Sequence, residues 1–229
     1  LRNQGFEIEI RSSNIKTKDF DWKTTFNLSH NKNKVVKLDG DQTQIISGTQ
    51  IRKIGHPYRT FYMIEFAGIN PENGNPQFYT NDLLEDGTYS KEITEKASEA
   101  KAIMLDKHAE PAVNGGLYNS IRYKWFDLGF LFNYQFGGYA YDTWAQKTEH
   151  GGYDLEANIP TYYADSWKNP GDQTKYEQFY EKSSSVAMHK ITNSRRLHST
   201  DYIRLKTITF GVSLPKQWLA PVGLTNARL

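Results

Sequence analysis

Residues 115–138 read GGLYNSIRYKWFDLGFLFNYQFGG, and this stretch decides the fold class. From Phe126 onward, apolar side chains occupy every second position, with small or polar residues between most of them: Phe126, Leu128, Phe130, Phe132, Tyr134 and Phe136. A period of two is typical of a β-strand with one apolar and one polar face. The preceding run, from Leu117 to Trp125, alternates more weakly. The two runs are therefore predicted to form a hairpin with a tight turn near Lys124 to Phe126.

The length of the two runs bears on where the hairpin could lie. Each run has about ten residues, the length that a tilted strand needs to cross a bilayer. Strands of soluble proteins average about five or six residues. A half-buried strand of a soluble β-sandwich alternates in the same way, so periodicity alone leaves both interpretations open. The turns and loops in the rest of the chain separate them.

The composition excludes several classes of protein. The 229 residues include no cysteine, 15 Tyr, 12 Phe and 5 Trp, with 38% hydrophobic residues and a net charge of +2. No eighteen apolar residues run together, so no transmembrane helix is predicted. The pair Arg195-Arg196 is too small a basic cluster to indicate nucleic-acid binding. Because the chain opens in LRNQGFEIEI, which already alternates, it is expected to be a fragment that starts inside a strand.

The spacing of the alternating segments indicates a membrane barrel. Strands are predicted near residues 5–13, 20–30, 117–125, 126–137, 200–214 and 226–229. Short turns alternate with two long excursions, near 31–114 and 139–199, which are predicted to be structured extracellular loops. Outer-membrane barrels have short periplasmic turns and long outer loops, whereas a soluble sandwich has no reason to place its long loops at one end. The sequence therefore predicts an all-β fold, an antiparallel transmembrane β-barrel segment in which 1–229 is part of a single domain.

One helix is predicted inside the first loop. Within Lys91–Met104, apolar residues recur at helical spacing: Ile93, Ala97, Ala100 and Met104. The preceding residues 71–76, PENGNP, are dense in turn-forming residues. A short amphipathic helix is therefore expected after a turn.

The strand predicted near 200–214 changes phase. Ile203 and Leu205 lie on one parity, whereas Ile208 and Phe210 lie on the other. A β-bulge near Lys206-Thr207 would restore the phase. Alternatively, the upper part of the strand projects above the membrane, where neither face must be apolar. The sequence does not separate these two interpretations.

No enzymatic constellation is found in the sequence. The six histidines show no spacing typical of a metal site: His30, His56, His108, His150, His189 and His198. Asp82, Glu85 and Asp86 lack the ligand spacing of a calcium loop and are interpreted as a solvated acidic turn. No nucleophile motif of the GxSxG kind occurs. No catalytic residue, cofactor or metal is therefore predicted.

The second loop contains the candidate site, because its aromatic residues are interspersed with Asp, Asn and Gln. The candidate ligand-binding or partner-contacting residues are Tyr141, Trp144, Tyr162, Tyr163, Trp167 and Tyr176. Aromatic faces pack against the apolar faces of sugars, and neighbouring amides and carboxylates bind hydroxyl groups. The competing interpretation is that these rings pack the loop internally, because long ordered loops need cores of their own.

Six ordered segments resemble the SusC/RagA family of TonB-dependent outer-membrane transporters of Bacteroidetes-type bacteria. They are GFEIEI, FNLSHNKNKV, FAGINPENGNPQFY, the stretch 115–138, STDYIRLKTITFGVSLP and GLTNARL. The resemblance covers most of the chain, except the variable parts of the two long loops. It implies a plugged barrel of about 22 strands, of which this chain would supply about seven near the C-terminal end. Residues 109–113 lack a basic residue often seen there, and Val212 replaces a frequent aromatic residue.

The resemblance also implies a function and partners. It implies active uptake of oligosaccharides or peptides across the bacterial outer membrane, with a SusD-like surface lipoprotein closing over the loops. The TonB complex would act through a plug that this chain does not contain, and outer-membrane lipid would surround the wall. Two alternatives remain from the residues themselves: a passive porin-like barrel and a soluble extracellular all-β glycan-binding domain.

Overall fold

A computed structural model describes residues 1–154, 156–180 and 191–229. The described residues are mostly β, in antiparallel sheets, and they form two compact units. The sheet unit comprises Arg2–Asn33, Glu110–Gly138 and Thr200–Leu229, and the loop unit comprises Lys34–Ala109 and Tyr139–Ser199 with Leu1. Within these described ranges, no helix has both the length and the apolar character needed to cross a membrane.

Fourteen strands are found in the described residues. In chain order they are β1 (Arg2–Lys16), β2 (Phe20–Lys34), β3 (Gln44–Ser47), β4 (Gln50–Lys53), β5 (Thr60–Ile64), β6 (Phe66–Ile69), β7 (Pro76–Tyr79), β8 (Ile93–Thr94), β9 (Ala102–His108), β10 (Val113–Tyr123), β11 (Phe126–Phe136), β12 (Tyr139–Tyr141), β13 (Leu197–Ser199) and β14 (Tyr202–Val212). Two short helices are α1 (Thr143–Thr148) and α2 (Lys216–Leu219), and 3-10 turns occupy Thr161–Asp165, Ser194–Arg196 and Ala220–Val222. The residues near 226–229, where a strand was expected to begin, make one antiparallel bridge, from Ser213 to Arg228.

The sheet unit is one five-stranded antiparallel sheet in the order β1-β2-β10-β11-β14. β10 and β11 pair over their full length, from Val113 opposite Phe136 to Tyr123 opposite Phe126. The two-residue turn between them confirms the predicted hairpin. Lys124 in this turn takes a positive φ of 52°, and its N–H donates to the carbonyl of Asp19, 2.7 Å away, in the β1–β2 turn. The two short turns therefore lie at the same end of the sheet.

The register divides the side chains of the sheet into two chemically different faces. Residues directly opposite one another share a face, so the alternation of each strand continues across its neighbours. The apolar face includes Trp22, Phe26, Leu28, Leu117, Ile121, Phe130, Phe132, Leu205, Ile208 and Phe210. The opposite face includes Lys23, Asn27, Ser29, Asn114, Arg122, Asn133, Gln135 and Arg204. The apolar face is uncovered on β14, where Ile203, Ile208 and Phe210 are 69%, 65% and 66% exposed.

A bulge in β14 keeps this face continuous. Leu131 pairs with Thr207, whereas the next residue, Phe132, pairs with Leu205. Lys206 is thus the extra residue of a β-bulge. The bulge places Ile203 and Leu205 on the same face as Ile208 and Phe210. Of the two interpretations that the sequence left open, the structure thus shows the bulge near Lys206-Thr207.

The loop unit contains three small sheets, in the orders β3-β4-β5-β9, β6-β7-β8 and β12-β13. Five buried residues form its hydrophobic core: Phe61, Met63, Ile103, Leu105 and Leu197. Leu197 comes from the second excursion of the chain and the other four from the first. The two excursions therefore share one core.

The helix predicted within Lys91–Met104 is wrong. Ile93 lies in β8, which pairs with β7, and Met104 lies in β9, opposite Tyr62 of β5. The turn between these strands is fixed by local bonds, including one from the N–H of Lys96 to Thr94 Oγ1 at 3.1 Å. Strand pairing at both ends outweighs the weak helical pattern, which rested partly on two alanines.

Candidate functional site

A buried cluster of four charged residues organises the second excursion of the loop unit. Arg195 forms an ion pair with Glu177, and its Nη2 lies 3.3 Å from Glu149 Oε2. Arg196 Nε lies 3.2 Å from the same Glu149 oxygen. Glu177 and Arg196 are 0% and 1% exposed. Buried charges are costly unless they are paired, so each of these groups depends on the others.

Arg195 is also held between two aromatic rings. Its guanidinium carbon lies 4.9 Å from the ring centre of Tyr176 and 5.8 Å from that of Phe66, within the range of cation–π contacts. Burial alone would lower the pKa of Arg195, but the carboxylates of Glu177 and Glu149 outweigh it and raise the pKa. Arg195 therefore keeps its charge at the centre of this cluster.

An aromatic cluster surrounds these charges. Tyr163 is fully buried, and its ring centre lies 5.1 Å from that of Tyr176 and 5.6 Å from that of Phe179. The ring centre of Tyr162 lies 5.3 Å from that of Tyr176, and the Tyr162 hydroxyl donates to Glu149 Oε1 at 3.1 Å. Burial and the neighbouring Glu149 carboxylate raise the pKa of Tyr162 to about 12, so its hydroxyl is a donor at neutral pH.

Trp167 attaches the second excursion to the turn at residues 71–76. Its indole N–H donates to the carbonyl of Pro71 at 2.7 Å. The ring lies directly against Gly74, whose φ is +70° and where any Cβ atom would overlap the indole. Gln178 adds a bond from its amide to the carbonyl of Asn73 at 2.8 Å. Trp167 is therefore an internal anchor whose ring is half-buried.

Glu95 fixes the shape of that turn. Its carboxylate accepts hydrogen bonds from the side-chain amides of Asn70, Asn73 and Asn75, at 2.5, 3.0 and 2.9 Å. Partial burial raises the pKa of Glu95, but these three donors together lower it below its usual value. Glu95 is therefore ionised at neutral pH and holds three asparagines in place.

The six predicted site residues have different surroundings. Tyr163 has no exposed surface and packs the segment, as the competing interpretation expects for a loop core. Tyr141 packs against the hydrophobic core of the loop unit. Trp144 on α1 is 73% exposed and Tyr162 is 44% exposed, so these two residues offer the most surface to a ligand or partner. The structure brings Tyr162, Tyr163 and Tyr176 together around the charged cluster.

A cavity of about 430 Å³ opens beside this cluster. Its lining includes Phe66, Glu149, Lys175, Tyr176, Arg195 and His198. Only Tyr176 belongs to the six residues predicted from the sequence. The other lining residues were missed because they come from separate segments and follow no periodic pattern. The adjacent Arg195 and Arg196 were visible in the sequence, but were weighed only as a nucleic-acid signal.

Among the described residues, no group of three or more His, Cys, Asp or Glu side chains could hold a metal ion. His189, one of the six histidines, lies outside the described residues, as do 181–190 generally and Leu155. The acidic turn folds around Asp86, which accepts bonds from the N–H and hydroxyl of Thr88 at 2.9 and 2.7 Å. Asp86 thus has a local structural role.

The apolar face of the sheet unit contains one buried polar group, Asn119. Its Oδ1 accepts a bond from the indole N–H of Trp22 at 2.9 Å and one from the hydroxyl of Thr24 at 2.7 Å. Thr24 Oγ1 in turn accepts from the amide of Asn14 at 2.6 Å. This chain of hydrogen bonds joins β1, β2 and β10 and satisfies polar groups on a face that is otherwise mostly apolar.

Long antiparallel strands with one uncovered apolar face and one polar face, joined at one end by short turns, have the organisation of an outer-membrane β-barrel wall. Over its whole length, the chain is homologous to SusC/RagA-type TonB-dependent receptors. Receptors of this class are β-barrel proteins of the bacterial outer membrane and are not enzymes.

Three relatives illustrate the similarity. TonB-dependent receptor P3 of Formosa agariphila is 32% identical over 245 residues, which cover 100% of this chain and 23% of the receptor. TonB-dependent receptor SusC of Bacteroides thetaiotaomicron is 23% identical and is matched over 95% of this chain and 21% of its own length. The solved structure of the RagAB peptide transporter has the same fold, with a TM-score of 0.83 at 23% identity over 99% of this chain and 24% of that one. No protein-family model matches the chain. The chain spans about a quarter of the length of these relatives.

Proposed function

We propose that this chain is part of a TonB-dependent transporter that imports oligosaccharides or peptides across the outer membrane. In this proposal the sheet unit is a segment of the transmembrane wall of a large plugged barrel, and the loop unit is extracellular. A SusD-like lipoprotein captures ligand over the loops, and the TonB complex acts through a plug outside this chain. The whole chain, 1–229, then belongs to a single barrel domain.

The observation that carries the proposal is the two-faced sheet. The apolar face is too large and too exposed to be stable in water, and lipid is the solvent that suits it. The opposite face contains Lys23, Arg122 and Arg204, which suit a water-filled or plugged lumen. Similarity to named TonB-dependent receptors supports active rather than passive transport.

The substrate class is supported less directly. The solved relative is named a peptide transporter. At 23% identity, its similarity to this chain supports the fold and does not identify the substrate. In this chain, Trp144 and Tyr162 are exposed aromatic side chains that suit contacts with either a sugar or a peptide. We therefore assign the loop unit a role in the ligand cavity or in the lipoprotein interface.

Single cysteines in a full-length receptor freed of other cysteines test the sidedness of the proposal, and the 229 residues of this chain contribute none. Trp144→Cys in the full-length receptor should react with a membrane-impermeant maleimide on intact cells. Lys124→Cys, in the short turn between β10 and β11, should react only after the outer membrane is opened. Equal labelling of both variants on intact cells would contradict the assigned topology.

Energy-dependent uptake tests the transport activity. Cells with the full-length receptor should accumulate labelled substrate only when the TonB complex is active, whereas a passive pore would not need it. Trp144→Ala with Tyr162→Ala should weaken uptake or recovery of the lipoprotein with the receptor. The matched control is Tyr89→Ala, an exposed tyrosine in the other excursion of the loop unit. If the paired variant equals this control in both assays at normal receptor abundance, the two aromatic residues have no role in transport.

A further inference from the structure

We propose that the cavity beside Arg195 binds an acidic group of the imported ligand, a carboxylate. This inference rests on the proposed transport function and adds a chemical class of substrate to it. The ligand would place its anionic group next to Lys175 and His198, and an adjoining ring or chain against Tyr176 and Phe66.

The charges that line the cavity carry the inference. Arg195 and Arg196 contribute two positive charges, which Glu149 and Glu177 balance through the ion pairs already described. Lys175 then remains as an additional positive charge in the lining. Among the described residues, no carboxylate lies within ion-pair distance of Lys175.

Glu149 is the one carboxylate among the described residues that line the cavity, and both of its oxygens already accept hydrogen bonds. Glu149 Oε1 accepts the hydroxyl of Tyr162, and Oε2 accepts from both Arg195 and Arg196. It therefore does not oppose Lys175 at the cavity, and an incoming anion would meet a positive rather than a balanced surface. His198, which is exposed at the same cavity, adds a ring nitrogen that can donate a hydrogen bond.

Two aromatic side chains, Tyr176 and Phe66, line the cavity where the remainder of the ligand would lie. Tyr176 and Phe66 hold the guanidinium of Arg195 between them, and Tyr176 is itself packed against Tyr163. A site that is already ordered loses little conformational freedom on binding. A cavity of about 430 Å³ accommodates one or two sugar rings or a few residues of peptide.

The test uses the full-length receptor, purified in detergent with its lipoprotein, and two matched pairs of probes. One pair is a trisaccharide with a terminal uronate and the same sugar with that carboxyl reduced to an alcohol. The other is a tetrapeptide with a free C-terminal carboxylate and its C-terminal amide. Titration calorimetry gives, within each pair, the dissociation constant of the neutral probe divided by that of the acidic probe. A ratio above one in a single pair identifies the source of the acidic group.

In the wild type, the acidic probe of one pair should bind about three- to fivefold more tightly than its neutral twin, the range expected for an ion pair with an exposed lysine. Lys175→Met should bring this ratio to about one, and Lys175→Glu should invert it. Lys168→Met is the matched control, because Lys168 is an exposed lysine of the same segment outside the cavity lining, and it should leave the ratio unchanged.

A ratio of one in both pairs, no binding of either acidic probe at millimolar concentration, or a preference that survives Lys175→Met would overturn the inference. These outcomes are distinct from failure of the transport proposal, which the requirement for TonB in uptake decides. A receptor that takes up substrate in a TonB-dependent way but shows no preference for either acidic probe would refute the acidic site and leave the transport proposal standing.

Discussion

Phe130 gives a quantitative test of the proposed membrane wall. β11 has 11 residues, and ten steps of about 3.4 Å give a strand of about 34 Å. Tilted by about 40°, this strand rises about 26 Å, close to the apolar band of about 25 Å in outer-membrane barrels. Phe130 is four steps from Phe126 and so lies about 10 Å above that end, roughly 3 Å from the middle of the band. Phe130→Arg should therefore cost about 2–4 kcal/mol.

The assay is urea unfolding of the full-length receptor in lipid vesicles, followed by heat-modifiable migration on gels. Asn133→Arg is the matched control, because Asn133 lies on the same strand but on the polar face. Phe130→Leu measures separately the loss of the ring contact with Phe132, whose centre lies 6.0 Å away. Equal destabilisation by arginine at positions 130 and 133 would refute the assignment of the apolar face to lipid.

Four further predictions concern the bulge and the loop unit. Deleting Lys206 should leave receptor assembly intact, because the flanking residues then pair as a regular ladder; loss of the heat-modifiable form would contradict this. Glu95→Gln should destabilise the turn at 71–76 by about 1–3 kcal/mol, measured by limited proteolysis, because a neutral amide cannot accept from all three asparagines. The pKa of Glu95 is lowered in the folded chain, so the stabilisation that its carboxylate gives to the turn is present at neutral pH and is lost as the pH falls below about 4. Resistance to proteolysis that does not change between pH 7 and pH 3 would argue against this prediction. Arg195→Met should cost about 3–5 kcal/mol, seen as faster hydrogen exchange in Thr161–Asp165, and adding Glu177→Gln should restore part of it. No rescue in the double variant would show that the buried Glu177 charge is not the cause.

The sheet unit could be predicted from the sequence because a two-residue period records which face each side chain occupies. The hairpin turn at Lys124 followed from that period, whereas the change of phase in β14 allowed a bulge near Lys206 without requiring it. The ends of the strands did not follow from it. β1 and β2 each continue for 15 residues, past the alternating parts, because strand pairing extends through polar residues where no face needs to be apolar.

The loop unit resisted prediction for a physical reason. Its centre is an ion network between Glu149 and Arg195, which are 46 residues apart and lie in segments without periodicity. Buried charges of this kind cannot be told from surface charges until their partners are known. The aromatic richness of the segment was recognised, but which ring would be buried, as Tyr163 is, and which exposed, as Trp144 is, depends on the folded contacts.

The hydrogen bond between Trp22 and Asn119 makes the sheet unit a natural spectroscopic probe of its own assembly. The indole N–H is bound only when β2 and β10 are in register, so its nuclear magnetic resonance shift reports on that pairing without any added label. In lipid the same N–H is shielded from water, and slow exchange with deuterium would separate an inserted wall from one that is merely collapsed. Asn119, a polar residue on the apolar face, thus allows the docking of β2 onto β10 to be followed in real time during insertion.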